Sequence, residues 1–480
     1  MASHEAVRVR NSLLPARKIQ SIAIRTNKNL RRRILAHKKF CRHEVPKPFW
    51  VTEFAESRFL HGQFLYWFFM LKLYSEGFLL LLAQNSVYTS RMNTTDLSKY
   101  LAPVIKACAL WKDKILHVVV IANPAAGGFT RKSIADLHEE VLKRKSEAAA
   151  EKPQMCRDFT IKVYETERAG ATAVFVQSLV KEAALSESED EEYLIVTAGG
   201  DGTSLEVQTA LVHIAFDLGG EYSDLVKNKI TILRLPFGTG NDGSDGWNLE
   251  ESLSLLEENS HFACQRAVRV NCRQGSEIPS FEYSHNDESL SANPPWYAFN
   301  IASIGIDAFI THMTNRTKSH LPGNFYKVWI DLACMFYGFK YKSGTAKISA
   351  YDKDGNVIAN LETGITFCLL GVSGHRTYGS HQKILPDDRN VCVAKKMSLI
   401  SKMLLKEKFK AGTHVDNKAA FLCTAEKIEI QYGCPILVQM DGEVHLVGSE
   451  NFPMVFERTE PVVRIIEKDG APYYKGAEKI

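Results

Sequence analysis

The sequence predicts an α/β N-terminal domain with a parallel sheet, followed by a mainly antiparallel β-sandwich second domain. Three observations carry that prediction. From residue 115, short apolar runs alternate with helical patterns, as in βαβ units. After about residue 262, strand patterns follow one another with little helix between them. The loops after the early strands are rich in Gly and small polar residues, where open α/β sheets bind ligands.

Ile115-Leu116-His117-Val118-Val119-Val120-Ile121 is a continuous apolar run, the pattern of a strand buried on both faces. A helical pattern follows over Ile134 to Lys143. Phe159 to Tyr164 reads as the next strand and Ala171 to Ala184 as the next helix. The acidic run Ser186 to Glu192 reads as a solvated loop. Tyr193 to Ala198 and Ile230 to Leu235 are the third and fourth strands. Beyond them, Cys264 to Val270, Tyr297 to Ile304, Thr345 to Tyr351, Val357 to Leu370, Ala425 to Gln431, Ile436 to Met440 and Val462 to Ile466 read as strands. Lys353-Asp354-Gly355-Asn356 is a hairpin signal. Helical patterns interrupt near 325–338 and 398–410, and the polar stretch Gln274 to Pro295 reads as an exposed insertion.

The expected organisation is a basic and apolar extension over 1–91, an α/β domain over 92–262 and a β-rich domain over 263–470. The chain has 480 residues, 45% hydrophobic and 24% charged, which excludes disorder as its main state. Lys+Arg number 59 against 55 Asp+Glu, a net +4, too balanced for a nucleic-acid-binding surface overall. Ten scattered cysteines with no C-x-x-C pair read as buried thiols of a reducing compartment. Residues 1–49 are strongly basic, and the apolar stretch Phe64 to Leu82 is interrupted by Lys72 and Glu76. Three readings of this region stand: an amphipathic arm on an anionic membrane, a true anchor, or a region outside a protein whose translation starts at Met92. Asn93-Thr94-Thr95-Asp96-Leu97 has the pattern of an N-capped helix.

The chemistry concentrates on the loops. Gly199-Gly200-Asp201-Gly202-Thr203 follows a buried strand and opens a helical pattern. Glycines let backbone N–H groups approach an anion, and the helix start adds its positive end. The bland alternative is a turn with Asp201 as cap. Pro236 to Gly243 contains G-x-G-x-x-G by letter (Gly238, Gly240, Gly243) but lacks the carboxylate that a dinucleotide fingerprint needs at the end of the next strand. Asn123-Pro124 with Gly127-Gly128 forms a third such loop. Asp441-Gly442-Glu443 reads either as an ordinary hairpin turn or as two working carboxylates. Asp387-Asp388 reads either as Mg²⁺ ligands or as a solvated turn. The aromatic segment Leu321 to Phe339, with Lys327, Lys340 and Lys342, reads as a lipid-facing patch or as a helix packed on the second domain.

Gly199 to Thr203, Asn123-Pro124 ahead of Gly127, Gly238-Thr239-Gly240-Asn241-Asp242 and Asp441-Gly442-Glu443 stand in the order and rough spacing of the diacylglycerol kinase catalytic-domain family, which this sequence resembles over about 115–468. The glycine–glycine–aspartate–glycine element is shared with NAD kinases, and the implied architecture is NAD kinase/diacylglycerol kinase-like. The resemblance implies a cytoplasmic lipid kinase, peripheral to the membrane, using ATP and Mg²⁺ on a lipid such as diacylglycerol, with homodimerisation left open. It implies nucleotide contacts from Asn123, Pro124, Gly127, Thr166, Gly199, Gly200, Asp201, Gly202, Thr203, Glu206, Gly238, Thr239, Asn241 and Asp242. It implies Glu443 as proton acceptor, Asp201 and Asp441 in catalysis, and Asp388 with Asp387 at the metal. Two departures are visible: the stretch after Pro386 is shorter than the family's acidic loop, with Arg389 in place of a glycine, and Ser204-Leu205 precedes Glu206 where an asparagine is common. Two other classes remain in view, a soluble-substrate kinase of the NAD kinase type and a non-catalytic nucleotide or lipid sensor.

Overall fold

The computed structural model describes residues 92–479 apart from 168–169, 187, 239, 274–293, 319–329, 331, 334–336, 339–340, 342–343, 380–381 and 470–476. The basic and apolar segments before Met92, most of the aromatic segment Leu321 to Phe339, and Thr239 lie outside the described residues.

The chain enters through α1 (Thr94–Lys106), whose start is capped as expected: the Asn93 side chain accepts from the Thr95 amide at 3.2 Å. Four parallel strands follow, β1 (Ile115–Ala122), β2 (Asp158–Glu165), β3 (Glu191–Gly199) and β4 (Ile230–Pro236). The helices between them are α2 (Gly127–Thr130), α3 (Lys132–Ala150), α4 (Ala171–Ala184), α5 (Asp201–His213) and α6 (Gly220–Asn228). The two-residue period sorts the apolar side chains onto two faces. Leu116, Val118, Val120, Leu194, Val196, Leu233 and Leu235 enter one core, while Val119, Ile121, Ile195, Ile230 and Ile232 enter the other. Each such side chain contributes about 1.5–3 kcal/mol on burial.

After α7 (Leu249–Ser254) and β5 (Ser260–Gln265), the chain leaves this sheet. It builds an antiparallel array from β6 (Val268–Asn271), β7 (Trp296–Ala298), β8 (Ile301–Gly305), β9 (Thr345–Tyr351) and β10 (Val357–Gly371). A short pair, β11 (Arg376–Tyr378) and β12 (Gln382–Leu385), precedes β13 (Val391–Lys395), β14 (Ala420–Cys423), β15 (Lys427–Tyr432), β16 (Ile436–Met440), β17 (Glu443–Val447) and β18 (Met454–Arg458). Finally β19 (Val463–Lys468) and β20 (Ala477–Lys479) return to the first sheet, whose order is β2-β1-β3-β4-β19-β5-β20. The antiparallel part is therefore inserted between two strands of the first sheet. It runs β17-β16-β8-β10-β9-β15-β18-β6-β7 and curls, so that β7 also lies against β16 and β8. Helices α8 (Ile306–Lys318) and α9 (Leu399–Ala411) flank it, with Phe309, Leu405 and Phe409 in a separate apolar cluster.

Two expected strands are broken, for identifiable reasons. Cys264 to Val270 divides at Arg266-Ala267, where the chain passes from one sheet to the other; the Ala267 amide bonds the Thr459 hydroxyl at 3.0 Å. Tyr297 to Ile304 divides at Phe299-Asn300, and the backbone amides around that break have another task.

Candidate active site

The loops after β1, β3 and β4 converge at the carboxyl end of the parallel strands. The Asn123 amide bonds the Ala198 carbonyl at 2.9 Å, and the Asn123 side chain accepts from the Ala125 amide at 3.0 Å, which closes the turn at Pro124. The Gly128 amide bonds the Phe237 carbonyl at 2.8 Å, with Phe129 and Phe237 packed at 4.6 Å beneath. Thr166 joins this rim through its amide to the Ala122 carbonyl, at 2.9 Å. Glu206 accepts from the Gly170 amide at 3.1 Å and so ties the loop after β2 to α5.

Gly199 to Thr203 carries the chain from β3 into α5. Gly200 occupies the cap position, so Asp201 is not the cap. Its carboxylate reaches sideways to accept from the Gly243 amide at 3.0 Å, joining two glycine-rich loops. Gly238 is required sterically: a Cβ there would meet the Gly200 Cα at 2.5 Å. Gly240 presses on Asp201 in the same way, with 2.7 Å between its Cβ direction and Oδ2. Gly202 is exposed at the first turn of α5 and Thr203 is buried beside it. The Asn241 side chain donates to the Pro236 and Gly238 carbonyls at 3.2 Å each, holding Asn241 at φ +59°.

Beneath these loops lies a support that the sequence reading did not single out. Arg234, inside β4, forms a buried ion pair with Asp245: Nη2 to Oδ1 is 2.6 Å, and the side chains are 3% and 0% exposed. Asp245 also accepts from the Arg234 amide at 2.6 Å, and Arg234 donates to Gln208 of α5 at 2.6 Å. One charged network thus fixes both ends of the Pro236–Asp245 loop and the helix that opens at Asp201. The available signal was a lone arginine within an otherwise apolar strand.

The second lobe contributes the β16–β17 hairpin. Asp441 and Gly442 form its two-residue turn with φ +47° and +108°, the positive values that a type I′ connection needs. The Asp441 carboxylate accepts from the amides of Phe299, Asn300 (3.0 Å) and Ile301 (2.8 Å), the groups released where β7 breaks from β8. Burial pushes the Asp441 carboxyl up to about 6; the three amides oppose that shift and the Asp201 charge adds to it. Asp201, 240 positions away in sequence, is thus near enough for its charge to reach Asp441, as the smallest of these causes.

A polar network backs the hairpin. Tyr378 donates to Gln439 at 3.0 Å and shares a 2.9 Å hydrogen bond with Thr311, while Gln439 donates to Ser303 (2.9 Å) and Asp307 (3.2 Å). The Gly442 amide donates back to Gln439 at 3.1 Å. Burial above all, and then the charges of Asp307, Asp441 and Asp242, hold the Tyr378 phenol well above its ordinary value. Tyr378 therefore senses carboxylates from both lobes and stays protonated. Glu443 stands exposed at the first position of β17, paired with Met440.

The two aspartates that the resemblance assigns to the metal lie between β12 and β13. Asp387 is engaged by the Arg389 guanidinium, with Nε to Oδ1 at 3.0 Å, and that contact holds its carboxyl below the usual range. Asp388 is fully exposed and its partner is His375, at 2.9 Å. Among the described residues, no group of three or more His, Cys, Asp or Glu is arranged to hold a metal ion. The Asp201 and Asp242 carboxylates both approach Gly240, at 2.7 and 3.8 Å from its Cβ direction.

Residues 117–271 match the family described as the diacylglycerol kinase catalytic domain, which bears out over that segment the resemblance carried by the loops at Gly199 and Gly238. This is a kinase family. Among solved structures, a diacylglycerol kinase from Bacillus anthracis str. Sterne is 16% identical, covers 74% of this chain and 97% of its own, and has a TM-score of 0.43. Another structure from that organism, described as a candidate diacylglycerol kinase, is 18% identical, covers 75% and 99%, and has a TM-score of 0.48. A search of curated proteins gave no match. Among the described residues, no helix is long and apolar enough to cross a membrane.

Proposed function

We propose that the protein is an ATP-dependent lipid kinase that phosphorylates a hydroxyl of diacylglycerol or a related lipid at a membrane surface. The observation that supports this reading is that the Asp201 charge, on the glycine-lined side, adds to the upward shift of the Asp441 carboxyl, on the hairpin that also presents Glu443. Phosphoryl transfer asks mainly for positioning and charge neutralisation. The backbone of Gly199–Thr203 and the start of α5 supply donors for the nucleotide phosphates. Asn123, Pro124, Gly127, Thr166 and the Gly238–Asp242 loop form the rim against which the rest of ATP would lie. Mg²⁺, when bound with ATP through Asp201 and Asp242, neutralises phosphate charge. Glu443 accepts the proton of the lipid hydroxyl as its oxygen bonds to the γ-phosphorus and the bond to the leaving ADP oxygen breaks. Asp441 positions the hairpin through its three amide bonds.

The test is incubation of labelled ATP with mixed micelles of candidate lipids, followed by extraction into organic solvent. Label in the organic phase is expected. Label confined to a soluble acceptor, or no transfer to any lipid, would contradict the reading.

A further inference from the structure

Helix α9 is apolar on two sides, and the fold accounts for only one of them. Leu405 and Phe409 face inward and are buried. Ile400, Met403 and Leu404, spaced i, i+3, i+4, face outward with exposures of 73%, 44% and 68%, and Leu399 beside them is 37% exposed. Scattered exposed apolar residues are ordinary, but a contiguous stripe on one helical turn marks a contact surface. At about 100° per residue, Lys408 and Lys410 fall about 80° to either side of Ile400, so exposed lysines flank the stripe. Lys396, just before the helix, and Lys383, packed under Gly412 at its end, are exposed as well. The exposed acids nearby are Glu407, which falls about 20° from Ile400 and so within the stripe, and Asp388 and Asp416 beyond the helix end. Next to the start of α9, Met397 and Lys402 line a cleft of about 400 Å³ with Ile365, Thr366, Lys396 and Tyr337.

An apolar stripe flanked by lysines is complementary to a surface that offers acyl chains beneath a layer of negative charge. We infer that α9 is a membrane-docking helix, which inserts Ile400, Met403 and Leu404 into the interface of an anionic bilayer while Lys396, Lys408 and Lys410 meet its headgroups. The inference takes its purpose from the lipid-kinase reading, but its physics is independent of catalysis. A bilayer is favoured over an acidic protein groove because the lysines spread to both sides of the stripe, as a plane requires.

The test is flotation of the full-length protein with phosphatidylcholine vesicles, with and without about 30% phosphatidylserine, in the absence of ATP, over a lipid titration. Ile400→Ser/Met403→Ser/Leu404→Ser is expected to weaken partitioning at least tenfold on both vesicle types. These positions are exposed, so melting temperature should be unchanged. Lys408→Gln and Lys410→Gln are each expected to weaken binding about fivefold on the anionic vesicles and to leave neutral ones unaffected. Unchanged flotation of the triple variant overturns the inference, whatever the kinase assay shows. A fall in self-association of that variant on gel filtration, with flotation intact, assigns the stripe to a second copy of the chain and also overturns it. Lost flotation with no lipid phosphorylated by the wild type leaves the docking helix standing and removes the kinase reading.

Discussion

The two sides of the site are built from opposite materials. On the parallel sheet, the loops at Gly199 and Gly238 offer backbone groups and little side-chain bulk, and a buried Arg234–Asp245 pair holds them in place. On the antiparallel sheet, the hairpin offers carboxylates, and backbone amides of a broken strand hold one of them. Donor-rich backbone suits an anion, whereas acceptor-rich side chains suit a hydroxyl proton or a cation. Each side has the supports that its own material needs: a charged strut for glycine loops that cannot pack, and an amide nest for a carboxylate that burial would otherwise expel. On this account, damage to one side should affect nucleotide binding and damage to the other should affect transfer.

The largest separation is expected from Glu443→Gln. Label transfer to lipid should fall by about 10²- to 10⁴-fold. Binding of a non-hydrolysable ATP analogue, measured by calorimetry, should stay within about twofold. Near-normal transfer would remove the hairpin from the chemistry. Arg234→Met acts on the other side. It leaves Asp245 buried without its cation, at a cost of about 3–5 kcal/mol in urea unfolding. Adding Asp245→Leu should recover much of that loss, and a single variant as stable as the wild type would show that the strut carries no load. Gly238→Ala is smaller, about 1–3 kcal/mol, because the new Cβ must displace Gly200. Its signature is that analogue binding weakens while Glu443-dependent transfer per bound nucleotide persists. Tyr378→Phe is smaller again, about 0.5–1.5 kcal/mol for its hydrogen bonds, read from the same unfolding curves.

Much of this site was legible in the sequence, and the rest was hidden for more than one reason. Gly199 to Thr203 announces itself by its run of glycines, of which Gly199 leaves no room for a Cβ against Thr203, and the Asp441-Gly442 turn by the positive φ that favours glycine. Strands β1, β3 and β4 of the first sheet are legible because burial on both faces leaves long apolar runs. Arg234, Asp245, Gln208 and Tyr378 were not legible, since a residue acting through a distant partner leaves no local pattern. The amides of Phe299 to Ile301 were hidden for a different reason: Tyr297 to Ile304 reads as one strand, and only the incoming Asp441 breaks it. Asp387-Asp388 reads either as a metal site or as a solvated turn, and its partners Arg389 and His375 become visible only in the folded chain.

The carboxyl of Asp441 links the two sides and has a pH signature. Its folded value of about 6 lies above the ordinary 3.8, so folding favours the protonated form. That stabilisation is complete below about pH 3.8 and is lost as pH rises through about 6. Nucleotide-free wild type should therefore lose stability over this window in thermal melts, by an amount that Asp441→Asn does not show.

The most direct measurement of the central claim, that two distant segments form one site, is carboxyl NMR titration of Asp441 in the wild type and in Asp201→Asn. The account predicts a value near 6 in the wild type and a lower one once the Asp201 charge is gone. An identical titration in both proteins would mean that the two lobes do not share a site.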